Sequence, residues 1–139
     1  VIERAVVDTG PLVAIVRTRE TAHGRCVGAL KGLHAPLLTC WPVLTEVAWL
    51  LRGEPGGMRA IGALVQSGAV EIVELDEPAL SWMVAYLERY ASLGAQLADA
   101  ALMYIAERRG IEVAFTLDRR DFSVYRTSDG RALRIVPDA

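Results

Sequence analysis

Short apolar runs of strand length recur along this chain between stretches of helical periodicity, and this alternation restricts its fold more tightly than any single motif. The strand-like runs are Ala5-Val6-Val7 ahead of Asp8, Leu37 to Cys40, Val70 to Leu75, Glu112 to Thr116 and Leu133 to Val136. Between them, apolar residues repeat at three- and four-residue spacing over Pro11–Val16, Thr21–Leu33, Pro42–Arg52, Met58–Gln66, Ala79–Tyr90 and Ala95–Arg109. Strands that alternate with helices in this way pair in parallel, each returning to the sheet by a right-handed crossover. The expectation is an α/β fold with a mostly parallel sheet and Leu133 to Val136 as an edge strand.

The local punctuation agrees. Pro11 and Pro42 stand at the first position of their helices, where a missing N–H costs nothing, and Asp76 caps the helix begun by Glu77-Pro78. Gly110 ends the Ala95–Arg109 helix, with Arg108 and Arg109 in its last turn. Gly53-Glu54-Pro55-Gly56-Gly57 is too short to be a linker, and 139 residues fit one domain over residues 1–139. Hydrophobic residues make up 53%, mostly Ala, Val and Leu, which suits a sheet covered on both faces or a surface buried against another chain.

No apolar run approaches the roughly 20 residues needed to span a bilayer, so no membrane role is expected. The first residues lack a basic, then apolar, secretory pattern, which makes a cytoplasmic location the expectation. Cys26 and Cys40 are isolated and expected as buried thiols. A net charge of −2 provides no global attraction to nucleic acid, so any such binding needs a local basic patch or a metal.

An open parallel sheet binds ligands outside the carboxyl ends of its strands. Asp8 lies at such an end, where Thr9, Gly10 and Pro11 stop the strand, and Asp118 follows Val113-Ala114-Phe115-Thr116 in the same way. With the two strands parallel, both acids emerge on one edge. Of the 17 acidic residues, most lie in polar or terminal contexts, but Glu46 and Asp99 sit within apolar helical sequence. Three and four positions away from Glu46 are Pro42, Val43, Trp49 and Leu50; around Asp99 they are Ala95, Gln96, Leu102 and Met103. Neither acid has a cation at helical spacing, so each needs a distant cation, a raised pKa or a metal.

Four converging carboxylates repel by about 4 kcal/mol per pair at 4 Å in a medium of effective dielectric 20, and a bound cation removes that repulsion. Oxygen donors without His or Cys favour Mg2+ or Mn2+ over zinc. Thr9 and Thr116 are placed to orient carboxylates or waters. Asp121 is either a fifth ligand or a structural partner of Arg119 or Arg120, with the structural role favoured.

The set Val7-Asp8-Thr9-Gly10-Pro11-Leu12, Thr45-Glu46-Val47, Leu97-Ala98-Asp99-Ala100 and Thr116-Leu117-Asp118-Arg119-Arg120-Asp121-Phe122 resembles the PIN-domain nucleases, in particular the VapC-type toxins of bacterial toxin–antitoxin pairs. The resemblance implies a three-layer α/β/α sandwich, Mg2+- or Mn2+-dependent endoribonuclease activity, a homodimer and inhibition by a cognate antitoxin. By analogy Asp8, Glu46 and Asp99 hold the metal, and Asp118 contributes directly or through water. Arg119 and Arg120, with Arg17 and Arg19, are candidate RNA phosphate contacts, with ordinary solvated surface as the alternative. Trp41, Trp49, Leu50 and Leu51 are expected mainly in the core, with a groove for an antitoxin helix as the alternative.

Three other readings compete. A stand-alone nuclease without an antitoxin has the same acids. An inactive PIN-like binding or assembly module would not need all four. Phosphoryl transfer through an aspartyl phosphate also uses an Asp after a first strand, but Asp8-Thr9-Gly10 has no second acid two residues on. His23 and His34 lie outside the acidic set, which argues against a histidine-based ribonuclease.

Overall fold

A computed structural model describes residues 3–138. Five strands form one sheet: β1 (Ala5–Val7), β2 (Leu37–Thr39), β3 (Val70–Ile72), β4 (Val113–Phe115) and β5 (Arg134–Val136). Their order is β3-β2-β1-β4-β5 and every pairing is parallel. The helices are α1 (Thr9–Val16), α2 (His23–Lys31), α3 (Trp41–Leu50), α4 (Gly57–Gln66), α5 (Glu77–Arg89), α6 (Leu97–Arg109) and the short α7 (Arg119–Phe122). The expected α/β architecture is therefore present, as a five-stranded parallel sheet flanked by helices.

The inner strands β1, β2 and β4 are buried at every position, which is why their sequences run apolar without alternation. Edge strand β3 is buried only at Val70, with Glu71 and Ile72 partly exposed. Helix α6 packs against β1, α3 and α5, which accounts for its apolar residues on all sides. Gly110 closes it with a left-handed φ of 66° and donates its N–H to Ala106 O. Cys26 and Cys40 are buried free thiols.

The chain winds outward from β1 through β2 to β3, then crosses back over the sheet to β4 and continues to β5. The direction of winding reverses between β1 and β4. In an open parallel sheet, a crevice opens at such a switch point outside the strand ends, because the connections leave in opposite directions. Asp8 follows β1 and Asp118 closely follows β4, so both acids are delivered to that crevice.

Two local expectations change. Helix α1 starts at Thr9, so Pro11 is its third residue, still among the first four whose N–H groups have no partner in the helix. Gly10 does more than turn the chain: a Cβ there would stand 3.2 Å from the Leu117 side chain. The absent side chain lets the start of α1 lie against the segment leaving β4, which brings the two switch-point strands' exits together. Among the described residues no helix is long and apolar enough to cross a membrane.

Candidate active site at the switch point

The carboxyl ends of β1 and β4 are locked together before any side chain is considered. Asp8 donates its backbone N–H to Phe115 O at 2.9 Å, continuing the β1–β4 ladder by one residue. The buried Thr116 then links both acids through one hydroxyl. It donates to Asp8 Oδ2 at 2.8 Å and accepts the Asp118 backbone N–H at 3.0 Å. A hydroxyl can donate and accept at once, and here both functions are used.

The other two acids come from helices. Glu46 is half-buried on α3, and Thr9 directs its hydroxyl to Glu46 Oε2 at 3.5 Å, a long contact at the limit of a hydrogen bond. Asp99 is not in a helix interior, as the expected Ala95–Arg109 span implied. Helix α6 begins at Leu97, which puts Asp99 in the first turn, where its Oδ2 accepts the Gln96 N–H at 3.1 Å. A carboxylate there caps orphan donors and faces the positive end of the helix dipole, so it has a local partner that is not a cation.

The electrostatics place these acids in one another's fields. Asp8 is pushed up to about 6, chiefly by burial, with Asp99 and Glu46 adding to the shift and the Thr9 N–H and Thr116 hydroxyl opposing it. Burial also raises Glu46, helped by the charge on Asp99 and opposed by Thr9. Asp99 is raised by burial and by Asp118 and Asp121, against the Gln96 N–H and the Tyr125 hydroxyl. Among the described residues, none of Asp8, Glu46, Asp99 or Asp118 forms an ion pair with a cationic side chain. Burial pushes the nearby Cys40 thiol up to about 11, with the charges of Asp8 and Glu46 adding to the shift.

Do these residues suit a divalent cation? Among the described residues no three His, Cys, Asp or Glu side chains stand close enough to enclose one ion between them. This wider spacing suits a hard cation that keeps several waters and takes only one or two carboxylates directly, as Mg2+ does. A closed tetrahedral zinc site is the geometry that this arrangement does not fit.

Several sequence expectations are reassigned. Arg17 is not free for phosphate: its guanidinium binds Glu54 at 3.2 Å, Glu20 at 2.9 Å and Leu50 O at 2.7 Å. Arg19 joins the same junction through Glu54 at 2.9 Å. Arg119 donates to Pro137 O at 2.7 Å, tying α7 to the chain beyond β5, while Arg120 is exposed on the same helix. Asp121 forms no ion pair with Arg119 or Arg120; its N–H donates to Asp118 Oδ1 at 3.1 Å and its carbonyl accepts from Val124 and Tyr125. Asp118 is therefore the N-cap of α7 as well as a member of the cluster. Trp41, Trp49 and Leu50 are 63%, 64% and 45% exposed, contrary to a core role, while Leu51 is buried at 2%. The residue that sequence reasoning missed is Tyr125, which donates to Asp99 Oδ2 at 3.0 Å. Its only signal in the sequence was one more aromatic after Phe122.

Comparison with known proteins agrees with the fold. The PIN domain family model matches residues 5–127, most of the chain. The chain is 24% identical to Ribonuclease VapC26 of Mycobacterium tuberculosis, over 95% of its own length and 99% of that protein. Its fold is similar to that of the sarcin-ricin loop cleaving toxin VapC20 of M. tuberculosis, with a TM-score of 0.74 and 20% identity over 86% of this chain and 94% of the other. A chain of a toxin–antitoxin complex from Klebsiella pneumoniae gives a TM-score of 0.67 and 19% identity over 86% and 90%. The protein belongs to the PIN-domain family and is a distant homologue of VapC-type ribonuclease toxins along nearly its whole length.

Proposed function

We propose that this protein is a Mg2+- or Mn2+-dependent endoribonuclease that acts in the cytoplasm as the toxin of a toxin–antitoxin pair. What carries the reading is the convergence of Asp8, Glu46, Asp99 and Asp118, from four separate segments, on the switch-point crevice without a cationic partner. In that crevice a bound divalent ion supplies a water nucleophile at neutral pH, orients the scissile phosphate and offsets charge on the leaving oxygen.

The chain's own residues do the positioning. Asp8, Glu46 and Asp99 would hold the ion, one or two of them directly and the rest through its waters, and Asp118 would contribute directly or through a water. Thr116 aims Asp8 and fixes its distance from Asp118, and Thr9 steadies Glu46. Asp121 closes the turn that orients Asp118. Arg120, and whatever donors Arg119 retains beyond its bond to Pro137, contact the RNA backbone beside the acids.

Two protein partners belong to the same reading, an antitoxin and a second copy of the chain. Their support is the apolar groove between α3 and α4, about 570 Å3, lined by Trp41, Leu44, Met58, Ile61 and Val65. An amphipathic antitoxin helix suits such a groove. The K. pneumoniae chain of similar fold comes from a toxin–antitoxin complex, which supports a protein inhibitor here.

The test uses protein purified free of any partner. RNA cleavage should require Mg2+ or Mn2+ and vanish in Asp8→Asn and Asp99→Asn. Folded protein that binds no divalent ion at millimolar concentration would instead be an inactive binding module. Cleavage without an inhibitory antitoxin encoded beside the gene would leave a stand-alone nuclease.

A further inference from the structure

The chain leaving α7 runs into an aromatic cluster. Tyr125 meets Tyr86, Tyr90 and Phe122 edge-on at centroid distances of 5.6, 5.1 and 5.1 Å, and it is completely buried. Core packing accounts for the ring but not for the hydroxyl, since a phenylalanine would fill the same space. The neighbouring Tyr86 shows the difference: its hydroxyl is buried too, yet has no hydrogen-bond partner. The Tyr125 hydroxyl reaches out of the cluster to Asp99 Oδ2 at 3.0 Å.

That oxygen is already bonded. The Gln96 N–H donates to Oδ2 as well, at 3.1 Å, so both protein donors fall on one oxygen of Asp99. Two donors from different directions stop the carboxylate turning about its Cβ–Cγ bond, and they leave Oδ1 without a protein donor. We propose that Tyr125 is a positioning residue: its hydroxyl, with the Gln96 N–H, immobilises Asp99 Oδ2 so that Oδ1 is presented to the divalent ion.

The backbone around Tyr125 serves a second acid. Its N–H donates to Asp121 O at 3.1 Å, and Asp121 donates its own N–H to Asp118 Oδ1 at 3.1 Å. Residues 118–125 thus carry one of the four acids, Asp118, and the donor that orients another, Asp99, and they join α6 to the exit of β4. Tyr90 braces this segment from the far side by accepting the Arg126 N–H at 3.0 Å. The inference rests on the metal-dependent reading above, and its test separates the two.

Mn2+ binding to the whole purified chain is measured by calorimetry. Tyr125→Phe keeps the ring and removes the hydroxyl, and should weaken Mn2+ binding by about 10-fold or more, the usual cost of losing a group that orients a ligand. Tyr86→Phe, which removes an unbonded hydroxyl from the same cluster, should bind Mn2+ as the wild type does. Asp99→Asn should lose the site.

A second measurement needs no change at Tyr125. In protein with ring-labelled tyrosine, Mg2+ should move the Tyr125 resonance in step with binding and leave Tyr104 in place; assignments come from Phe substitutions at the other three tyrosines. Mn2+ binding that is lost in Asp99→Asn but equal in Tyr125→Phe and wild type, or a Tyr125 resonance that ignores Mg2+, overturns the role of Tyr125 and leaves the metal site standing. A wild type that binds no Mn2+ overturns both.

Discussion

The molecule holds two clusters of acids that the chain treats in opposite ways. At the junction of α1 with the α3–α4 loop, Glu54 meets Arg17 and Arg19, and Glu20 meets Arg17. The Arg19 and Arg17 guanidiniums hold the Glu54 carboxyl below its ordinary range. At the switch point, Asp8, Glu46 and Asp99 have only hydroxyls, backbone N–H groups and one another, and all three are shifted upward. The first cluster is complete as it stands, because every negative charge has a cation. The second has no cationic side chain among the described residues, and the proposed divalent ion would supply the missing positive charge. Acidic residues therefore divide by what neutralises them, which is a property of their neighbours in space.

The sharpest way to break this contrast is to remove a charge from each side. Asp8→Asn and Asp99→Asn should each reduce Mn2+-dependent RNA cleavage by at least about 100-fold, on the scale of losing a group that stabilises the transition state. Glu54→Gln should leave cleavage unchanged. Single-turnover assays on an end-labelled RNA, with circular dichroism to confirm folding, decide it; comparable losses in both clusters would remove the distinction.

Next comes the ion itself. At a concentration 100 times its dissociation constant, Mg2+ or Mn2+ should stabilise the folded protein by about 2.7 kcal/mol. The resulting rise in melting temperature should be absent in Asp99→Asn and retained in Glu54→Gln.

The pH dependence separates the clusters by sign. Asp8 has a folded pKa of about 6, above its value of 3.8 as a free side chain. The folded state therefore holds this proton more tightly than the unfolded state. The associated stabilisation is full below pH 3.8 and is lost as pH rises through 6. In chelator, this group should cost on the order of 3 kcal/mol between those limits. Asp8→Asn should flatten that slope and raise the metal-free melting temperature at pH 7, so that loss of activity comes with a gain in stability. Glu54 is lowered instead, so its contribution is present above the ordinary carboxylate range and lost on acidification.

The smallest effect is on the structural side. Glu54→Gln should lower the melting temperature by roughly 2 °C at low salt and by less at high salt, since exposed ion pairs are weak and screened.

Much of this was legible in the sequence, for reasons that can be stated residue by residue. The five strand runs and six long helices follow from apolar period and from stops such as Gly110, and they reappear within a few residues. Asp8 and Asp118 were recognisable because each follows a buried run, and Glu46 because no cation lies at helical spacing. Asp99 was singled out for a reason the structure amends: it looked unpartnered inside a helix, but it stands in the first turn and caps it. Trp41 and Trp49 read as core in the sequence and are surface, because composition cannot say which face of α3 meets α1 and α6. Arg17 is a candidate phosphate contact in the sequence, but Glu54, 37 residues away, occupies its guanidinium.

The sequence by itself determined the elements and nominated the acids, since helix period, capping and turn chemistry act within about four residues along the chain. Only the tertiary structure decided the strand order that puts the switch between β1 and β4, and with it the convergence of those acids. It alone supplied the contacts that hold them, Thr116 on Asp8 across 108 residues and Tyr125 on Asp99 across 26. Such contacts depend on which strands pair and which faces are buried, and no local pattern encodes either.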